Sequence, residues 1–152
     1  MPIKILTIGK KHESWVSEGI ERYQKRLRTP FSVEWVLLPH SSLEGDRARA
    51  EESERILSRL TAYDYVVLLD ERGKSLDSPA LASLFGDQLN ASQNVMLIIG
   101  GAYGVDSTVH NRANYVWSLS PLVFPHQLVR LIVTEQLYRA QEITKGGSYH
   151  HV

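Results

Sequence analysis

The sequence predicts an α/β fold with a mostly parallel sheet flanked by helices. Strand-like and helix-like segments alternate along the whole chain, which is the pattern of layered α/β proteins. Residues 65–69 and 95–99 form nearly continuous apolar runs, which are typical of strands buried on both faces of a parallel sheet. The length of 152 residues, with 43% hydrophobic and 22% charged residues, fits one compact core. We therefore expect a single domain over residues 1–152.

The first half of the chain predicts two strand–helix pairs. Residues 3–8 are rich in β-branched side chains and are followed by Gly9, which indicates a strand that leads into a loop. Ser14 precedes a helical apolar pattern that Thr29 and Pro30 end, with Trp15, Ile20, Tyr23 and Leu27 on its apolar face. Residues 32–38 predict a second strand. The highly charged segment from Ser41 onward then predicts a solvated helix with a thin apolar stripe.

The second half continues the alternation. After the strand at residues 65–69, residues 70–74 are expected to turn away from the sheet. Ser78 and Pro79 are typical of an N-cap and a first helical residue, and this helix continues to Asn90. The strand at 95–99 is followed by a short helix from Asp106 towards Ala113 and by a last strand at 115–119. The longest helix covers 127–144, and residues 145–152 form a tail.

Composition excludes several functional classes. Seventeen Lys and Arg balance seventeen Asp and Glu, so the molecule has no overall positive charge with which to hold nucleic acid or an anionic membrane. An RNA partner must then be recognised by its shape or by a local patch. The N-terminal loop and first helix do carry a local basic excess, which fits either a solvated face or phosphate contacts: Lys10, Lys11, Arg22, Lys25, Arg26 and Arg28.

Metal and membrane sites are not expected. The chain has no cysteine, which excludes disulfides, thiolate nucleophiles and Cys-ligated metals. Its six histidines are scattered, without the spacing of a metal site. The longest apolar runs are far shorter than the ~20 residues that span a bilayer, so we expect neither a membrane span nor a signal peptide. We expect a cytoplasmic protein.

Three loops are candidate ligand sites, because ligands of open parallel sheets bind beyond the carboxyl ends of the strands. They follow Leu69, Ile99 and Leu119. The glycine cluster at 100–104 matches neither phosphate-loop fingerprint, and fits either a tight turn or close approach to a ligand. The apolar, proline-containing loop at 118–126 fits either a buried connection or a binding surface for a flat heteroaromatic ring such as adenine. On spacing alone, Glu135 and Arg139 form an ordinary i,i+4 pair, and the tail is typical of a frayed terminus.

Several short motifs, taken in order, resemble one known family. The sequence resembles the ribosomal large subunit pseudouridine methyltransferase H family of the SPOUT class over its whole length. The matching segments are Ile8-Gly9-Lys10, Leu69-Asp70 with Gly73-Lys74, Ile99-Gly100-Gly101 with Gly104, Phe124-Pro125-His126, Leu137-Tyr138-Arg139-Ala140 and Tyr149-His150.

The resemblance implies a SPOUT-type fold with a deep C-terminal trefoil knot, an exception to the rule that connections avoid knotting. It implies a homodimer with the long last helix at the interface, a tail that helps to complete the active site, and no metal. S-adenosyl-L-methionine would lie bent in the knot, and the family's contacts match Leu69, Gly100, Leu119, Ser120, Pro121, Leu122, Val123 and Phe124.

The implied reaction is transfer of the sulfonium methyl group to N3 of a pseudouridine in 23S rRNA, within the assembled ribosome. Tyr149 and His150 are then candidates for substrate positioning and proton handling, and Arg139 for steering the base or a phosphate. Family members commonly place Arg or Lys after Tyr-His, whereas His151 and Val152 stand here. If the missing cation contacts rRNA phosphate, ribosome binding is expected to be weaker here or to become stronger at mildly acidic pH. The alternatives are a knotted binding module without catalysis and another small nucleotide-binding protein.

Overall fold

The computed structural model describes residues 1–151. Its five strands form one sheet in the order β2-β1-β4-β3-β5, and every pairing between them is parallel. This confirms the predicted α/β class. The elements are β1 Ile3–Ile8, α1 Ser14–Gln24, β2 Val33–Leu38, α2 Gly45–Leu57, β3 Asp64–Ser75, α3 Ser78–Asn90, β4 Asn94–Ile99, α4 Ser107–Arg112, β5 Tyr115–Ser118 and α5 His126–Thr144.

Helices cover both faces of the sheet. Alternate strand residues point to opposite faces, so the sheet supplies two separate apolar clusters. On one face, α1, α3 and α5 pack together, and Phe85 and Leu137 are buried against Trp117. On the other face, Ile56 of α2 and Val109 of α4 are buried against the sheet. The three central strands are therefore covered on both sides, as their continuous apolar sequences predict.

The strand β3 differs from its prediction. Residues 70–74 do not simply turn away, because β3 continues to Ser75 and pairs with β5 on both sides of a bulge. Leu69 and Lys74 both lie opposite Trp117, so the residues between them are displaced from the ladder. Gly73 allows β3 to pair with β5 again after the bulge, since a Cβ at this position would lie 2.6 Å from the Val116 carbonyl oxygen.

Three helix starts or ends also differ. The first helix stops at Gln24, well before Pro30, and the second begins at Gly45 rather than near Ser41. The N-cap of α3 is Asp77, whose carboxylate accepts a hydrogen bond from Ala80 N at 2.8 Å. Ser78 is therefore the first helical residue and not the cap. A carboxylate at this position satisfies a free helical N–H as a Ser hydroxyl would.

The helices α1 and α5 run side by side, away from the carboxyl edge of the sheet. Near their starts, Glu13 N donates to Gln127 Oε1 at 3.0 Å, and beyond the end of α1, Arg28 N donates to Gln141 Oε1 at 2.7 Å. The start of α5 therefore lies at the carboxyl edge, and its end lies towards the opposite edge.

Within residues 1–151, no helix is both long and apolar enough to cross a membrane.

Candidate active site

A large cleft of about 1060 Å³ opens at the carboxyl edge of the sheet. It is lined by the β3 bulge, the glycine turn after β4, the loop after β5 and the first turn of α5. This is the edge at which ligands bind in open parallel sheets. All three loops singled out from the sequence therefore meet at one cleft.

The loop after β5 forms an apolar wall of the cleft. Leu119, Ser120, Leu122, Val123 and Phe124 all line it, whereas Pro121 is not among the lining residues. Leu122 and Val123 are 69% and 78% exposed, so their apolar surface is available to a ligand. The loop is held by its serines, since Ser118 Oγ donates to Ser120 O at 3.1 Å and Leu122 N donates to Ser120 Oγ at 3.0 Å.

The glycine turn forms the floor of the cleft beside Leu69. Gly104 N donates to Gly101 O at 3.0 Å, and Gly104 has a φ of +72°, which favours glycine. A Cβ at Gly100 would lie 3.1 Å from Val105 Cγ1 and 3.2 Å from Gly104 C. The segment is thus a tight turn that also lines the cleft, and close approach to a ligand stays a prediction.

A charged group lies on the rim at the β3 bulge. Asp70 Oδ2 accepts hydrogen bonds from Arg72 Nη2 and His110 Nε2, each at 3.0 Å. Burial raises the pKa of Asp70, but hydrogen bonds from Arg72 and the charges of Arg72 and His110 lower it overall. The carboxylate therefore stays charged at neutral pH. Sequence reasoning missed this group, because the bulge that presents Asp70 depends on pairing with β5.

The first turn of α5 adds a buried histidine–arginine pair. His126 lines the cleft, and its Nε2 lies 3.0 Å from Arg130 Nη2 and 3.2 Å from Thr7 Oγ1. Burial and the charge of Arg130 lower the pKa of His126 from 6.5 to about 4. Since a guanidinium can only donate, Nε2 accepts, and the neutral ring carries its proton on Nδ1. His126 belongs to the motif Phe124-Pro125-His126, but the sequence did not predict its contact with Arg130.

A second cluster joins the end of α5 to the tail. Glu135 Oε2 accepts hydrogen bonds from Arg139 Nη2 and from the Tyr149 hydroxyl, each at 2.8 Å. Arg139 Nη1 lies 3.0 Å from His150 Nδ1, and the Arg139 guanidinium lies 4.9 Å from the Tyr149 ring centroid. The three residues predicted for catalysis are therefore in mutual contact. Glu135 is more than the partner of an i,i+4 pair, because it also binds the tail.

The tail is ordered by these contacts. The Tyr149 ring packs edge-on against Tyr138 at 4.8 Å between centroids. Burial, followed by the hydrogen bond and charge of Glu135, raises the pKa of Tyr149, so its hydroxyl keeps its proton. His151 is exposed, and Val152 lies outside the described residues. Tyr149 and His150 are both partly buried, so this part of the tail is not a frayed terminus.

In one chain, the cleft and the tail cluster are far apart. Val129 is the last residue of α5 that lines the cleft, and from there the helix axis advances about 15 Å to Arg139. Neither Arg139, Tyr149 nor His150 lines the cleft.

Among residues 1–151 there is no group of three or more His, Asp or Glu side chains placed to hold a metal.

Comparison with known proteins identifies the family. A family model described as "Predicted SPOUT methyltransferase" matches residues 1–150. The chain belongs to the SPOUT methyltransferase family. Among its relatives are proteins named "Ribosomal RNA large subunit methyltransferase H": one from Desulfitobacterium hafniense is 39% identical over 99% of both chains, and one from Synechococcus sp. is 44% identical over 97% of this chain and 93% of the relative.

A solved structure agrees with the fold of this SPOUT methyltransferase. A methylase family protein from Neisseria gonorrhoeae matches 99% of this chain and 85% of its own with a TM-score of 0.52, at 12% identity. Membership confirms the predicted methyltransferase activity and its cofactor, S-adenosylmethionine, which SPOUT methyltransferases use. The cleft fits that cofactor, because it combines sufficient volume, exposed apolar side chains for an adenine ring and a glycine turn without side chains along its lining.

Proposed function

We propose that this SPOUT methyltransferase methylates N3 of a pseudouridine in 23S rRNA, within the assembled ribosome in the cytoplasm. The observation that carries the proposal is the ordered tail cluster, in which a carboxylate, a guanidinium, a phenol and an imidazole converge. An imide nitrogen must be held in place and must lose its proton, and this set of groups suits both tasks. Relatives that match nearly the whole chain carry the name of a large-subunit rRNA methyltransferase.

The cleft residues would hold the cofactor. S-adenosylmethionine, when bound, supplies an electrophilic methyl group on its sulfonium. Leu69 and Gly100 would bind it through their backbones, and the loop of Leu119, Ser120, Leu122, Val123 and Phe124 would cover the adenine. Pro121 would contribute by restricting that loop. We further propose that this part of the chain is threaded as a deep trefoil knot.

The tail cluster would hold the base. Because Arg139 donates to His150 Nδ1, the neutral imidazole carries its proton on Nε2 and can donate it to a pyrimidine carbonyl. Tyr149 keeps its proton and donates to Glu135, so Glu135 is the carboxylate to which a proton released in this cluster can pass. Arg139 fixes both Glu135 and His150 and neutralises charge near the reacting base.

The separation of cleft and cluster supports the proposal of a homodimer in which two subunits share each site. The two regions of one chain lie towards opposite edges of the sheet, whereas methyl transfer needs reacting atoms about 3 Å apart. An antiparallel arrangement of two α5 helices would bring the tail of one subunit to the cleft of the other. Half-buried apolar residues of α5 that belong to neither apolar cluster of the core, such as Leu128 and Ile132, suit such an interface.

Mixing two inactive variants tests this proposal. One variant carries Leu122→Asp and Val123→Asp in the cleft, and the other carries Arg139→Ala in the tail cluster. If each site combines two subunits, re-equilibrated mixtures contain heterodimers with one intact site, and ribosome methylation is recovered. If cleft and cluster act within one chain, the mixture stays inactive. Cofactor binding by the Arg139 variant, measured by calorimetry, is expected to equal that of the wild type.

A further inference from the structure

We propose that the loop after β1 together with the first turn of α1, residues 9–15, is a contact surface for ribosomal RNA beside the cofactor cleft. The inference rests on the proposed function, because it assumes an RNA substrate. It adds a binding element that neither the cleft nor the tail cluster contains. The loop offers Lys10 and Lys11, both exposed, and Trp15, which is 50% exposed although it belongs to the predicted apolar face of α1.

A buried cation, Arg130, holds the loop in place through its backbone carbonyls. The Arg130 side chain is fully buried, and its guanidinium donates to Ile8 O and Gly9 O at 3.1 and 3.2 Å and to Lys11 O at 3.2 Å. It also lies 3.1 Å from His12 Nδ1. Among residues 1–151, no carboxylate forms an ion pair with Arg130, and a buried guanidinium without such a partner is costly. Its side-chain hydrogen bonds instead join the end of β1, the loop and His126.

Further contacts make the loop rigid. Gln127 Nε2 donates to Lys11 O at 3.2 Å, and Glu13 N donates to Gln127 Oε1 at 3.0 Å. Gly9 has a φ of +119°, and a Cβ there would lie 2.7 Å from Arg130 Nη2, so only glycine fits. With its carbonyls bound inward, the loop presents its side chains outward at little entropic cost upon binding.

The exposed side chains have the chemistry of a nucleic-acid contact. Within residues 1–151, neither Lys10 nor Lys11 takes part in an ion pair. The one carboxylate of the loop, Glu13, accepts from the Trp15 indole at 2.6 Å. Cations that meet phosphates beside an aromatic ring that stacks on a base are the usual elements of RNA binding. In a chain of zero net charge, such a local patch must supply the electrostatic attraction.

The position of the loop suits the reaction. Arg130 binds both the loop and His126, and His126 lines the cleft, so the lysines lie at the same edge of the sheet as the cleft. RNA that places a base at the cleft would thus pass over the loop. Arg59 is an exposed cation just beyond the end of α2, which runs back from that edge, and it provides a matched control.

The test is steady-state methylation of assembled ribosomes over a range of salt concentrations. For Lys10→Ala and Lys11→Ala we expect a higher KM for ribosomes, and a slope of log(kcat/KM) against log salt that is shallower by about 1 for each lysine. Trp15→Ala should raise KM about fivefold or more without changing the slope, and Trp15→Phe should retain most of the affinity. The kcat at saturating ribosomes and the cofactor affinity should stay unchanged, and Arg59→Ala should behave as wild type.

The outcomes separate this inference from the proposed function. If the wild type methylates ribosomes and the lysine variants keep its KM and salt slope, or change no more than Arg59→Ala, the inference is refuted and the function stands. Cosedimentation with ribosomes measures the same surface without the chemistry. Binding that depends on Lys10 and Lys11 without any methyl transfer would refute the function and support the surface.

Discussion

Acid should destabilise the protein through His126. This imidazole is partly buried beside Arg130, which lowers its pKa from 6.5 to about 4. In the unfolded chain the ring takes up a proton near its ordinary pKa, so the folded state loses stability as the pH falls from about 6.5 to about 4. From these two pKa values, linkage predicts that the free energy of unfolding falls by about 2 kcal/mol between pH 7 and pH 5 because of this residue alone.

The matched variant is His126→Gln, which keeps a hydrogen-bond acceptor for Arg130 and Thr7 but does not titrate. Urea denaturation of both proteins at pH 7 and pH 5 gives the free energy of unfolding under each condition. The other titratable groups are common to both proteins, so the difference between the two pH dependences reports His126. Equal losses of stability in the wild type and the variant would refute the reasoning.

Three further predictions concern the bulge, the cleft and the tail. Gly73→Ala should lower the free energy of unfolding by about 1–3 kcal/mol in thermal denaturation, because the new Cβ would lie 2.6 Å from the Val116 carbonyl oxygen. An unchanged melting temperature would mean that the bulge can move to accept the methyl group. Leu122→Ala should leave stability within about 0.5 kcal/mol but weaken S-adenosylmethionine binding in calorimetry, whereas unaltered affinity would place the adenine elsewhere. Glu135→Gln should lower the pKa of Tyr149 in a spectrophotometric titration, and a constant pKa would contradict the observed contact.

The layered architecture was predictable because it depends on local patterns. The apolar runs of β3 and β4 and the helical periodicity of α3 and α5 each follow from burial of a strand or a helix face. The bulge of β3 was not predictable, since it depends on pairing with β5, which lies far along the chain. Gly73 was its only local signal, and a glycine after a strand more often indicates a turn.

The site was predictable where loops follow strands. The rule for parallel sheets placed the cleft beyond Leu69, Ile99 and Leu119, and the resemblance supplied the cofactor and the tail residues. The tail cluster needed the structure, because Glu135 meets Tyr149 only when the tail folds back on α5. The burial of Arg130 was equally unpredictable from the sequence, since an arginine on a helix usually lies at the surface.

Methyl transfer from labelled S-adenosylmethionine tests the central claim most directly. The substrates are assembled ribosomes, free 23S rRNA and assembled ribosomes that lack the pseudouridine. A SPOUT methyltransferase of zero net charge that recognises the shape of the ribosome should label the first substrate alone. Label on free rRNA or on ribosomes without pseudouridine would contradict the proposed target. No label on any substrate, despite cofactor binding, would indicate a binding module without catalysis.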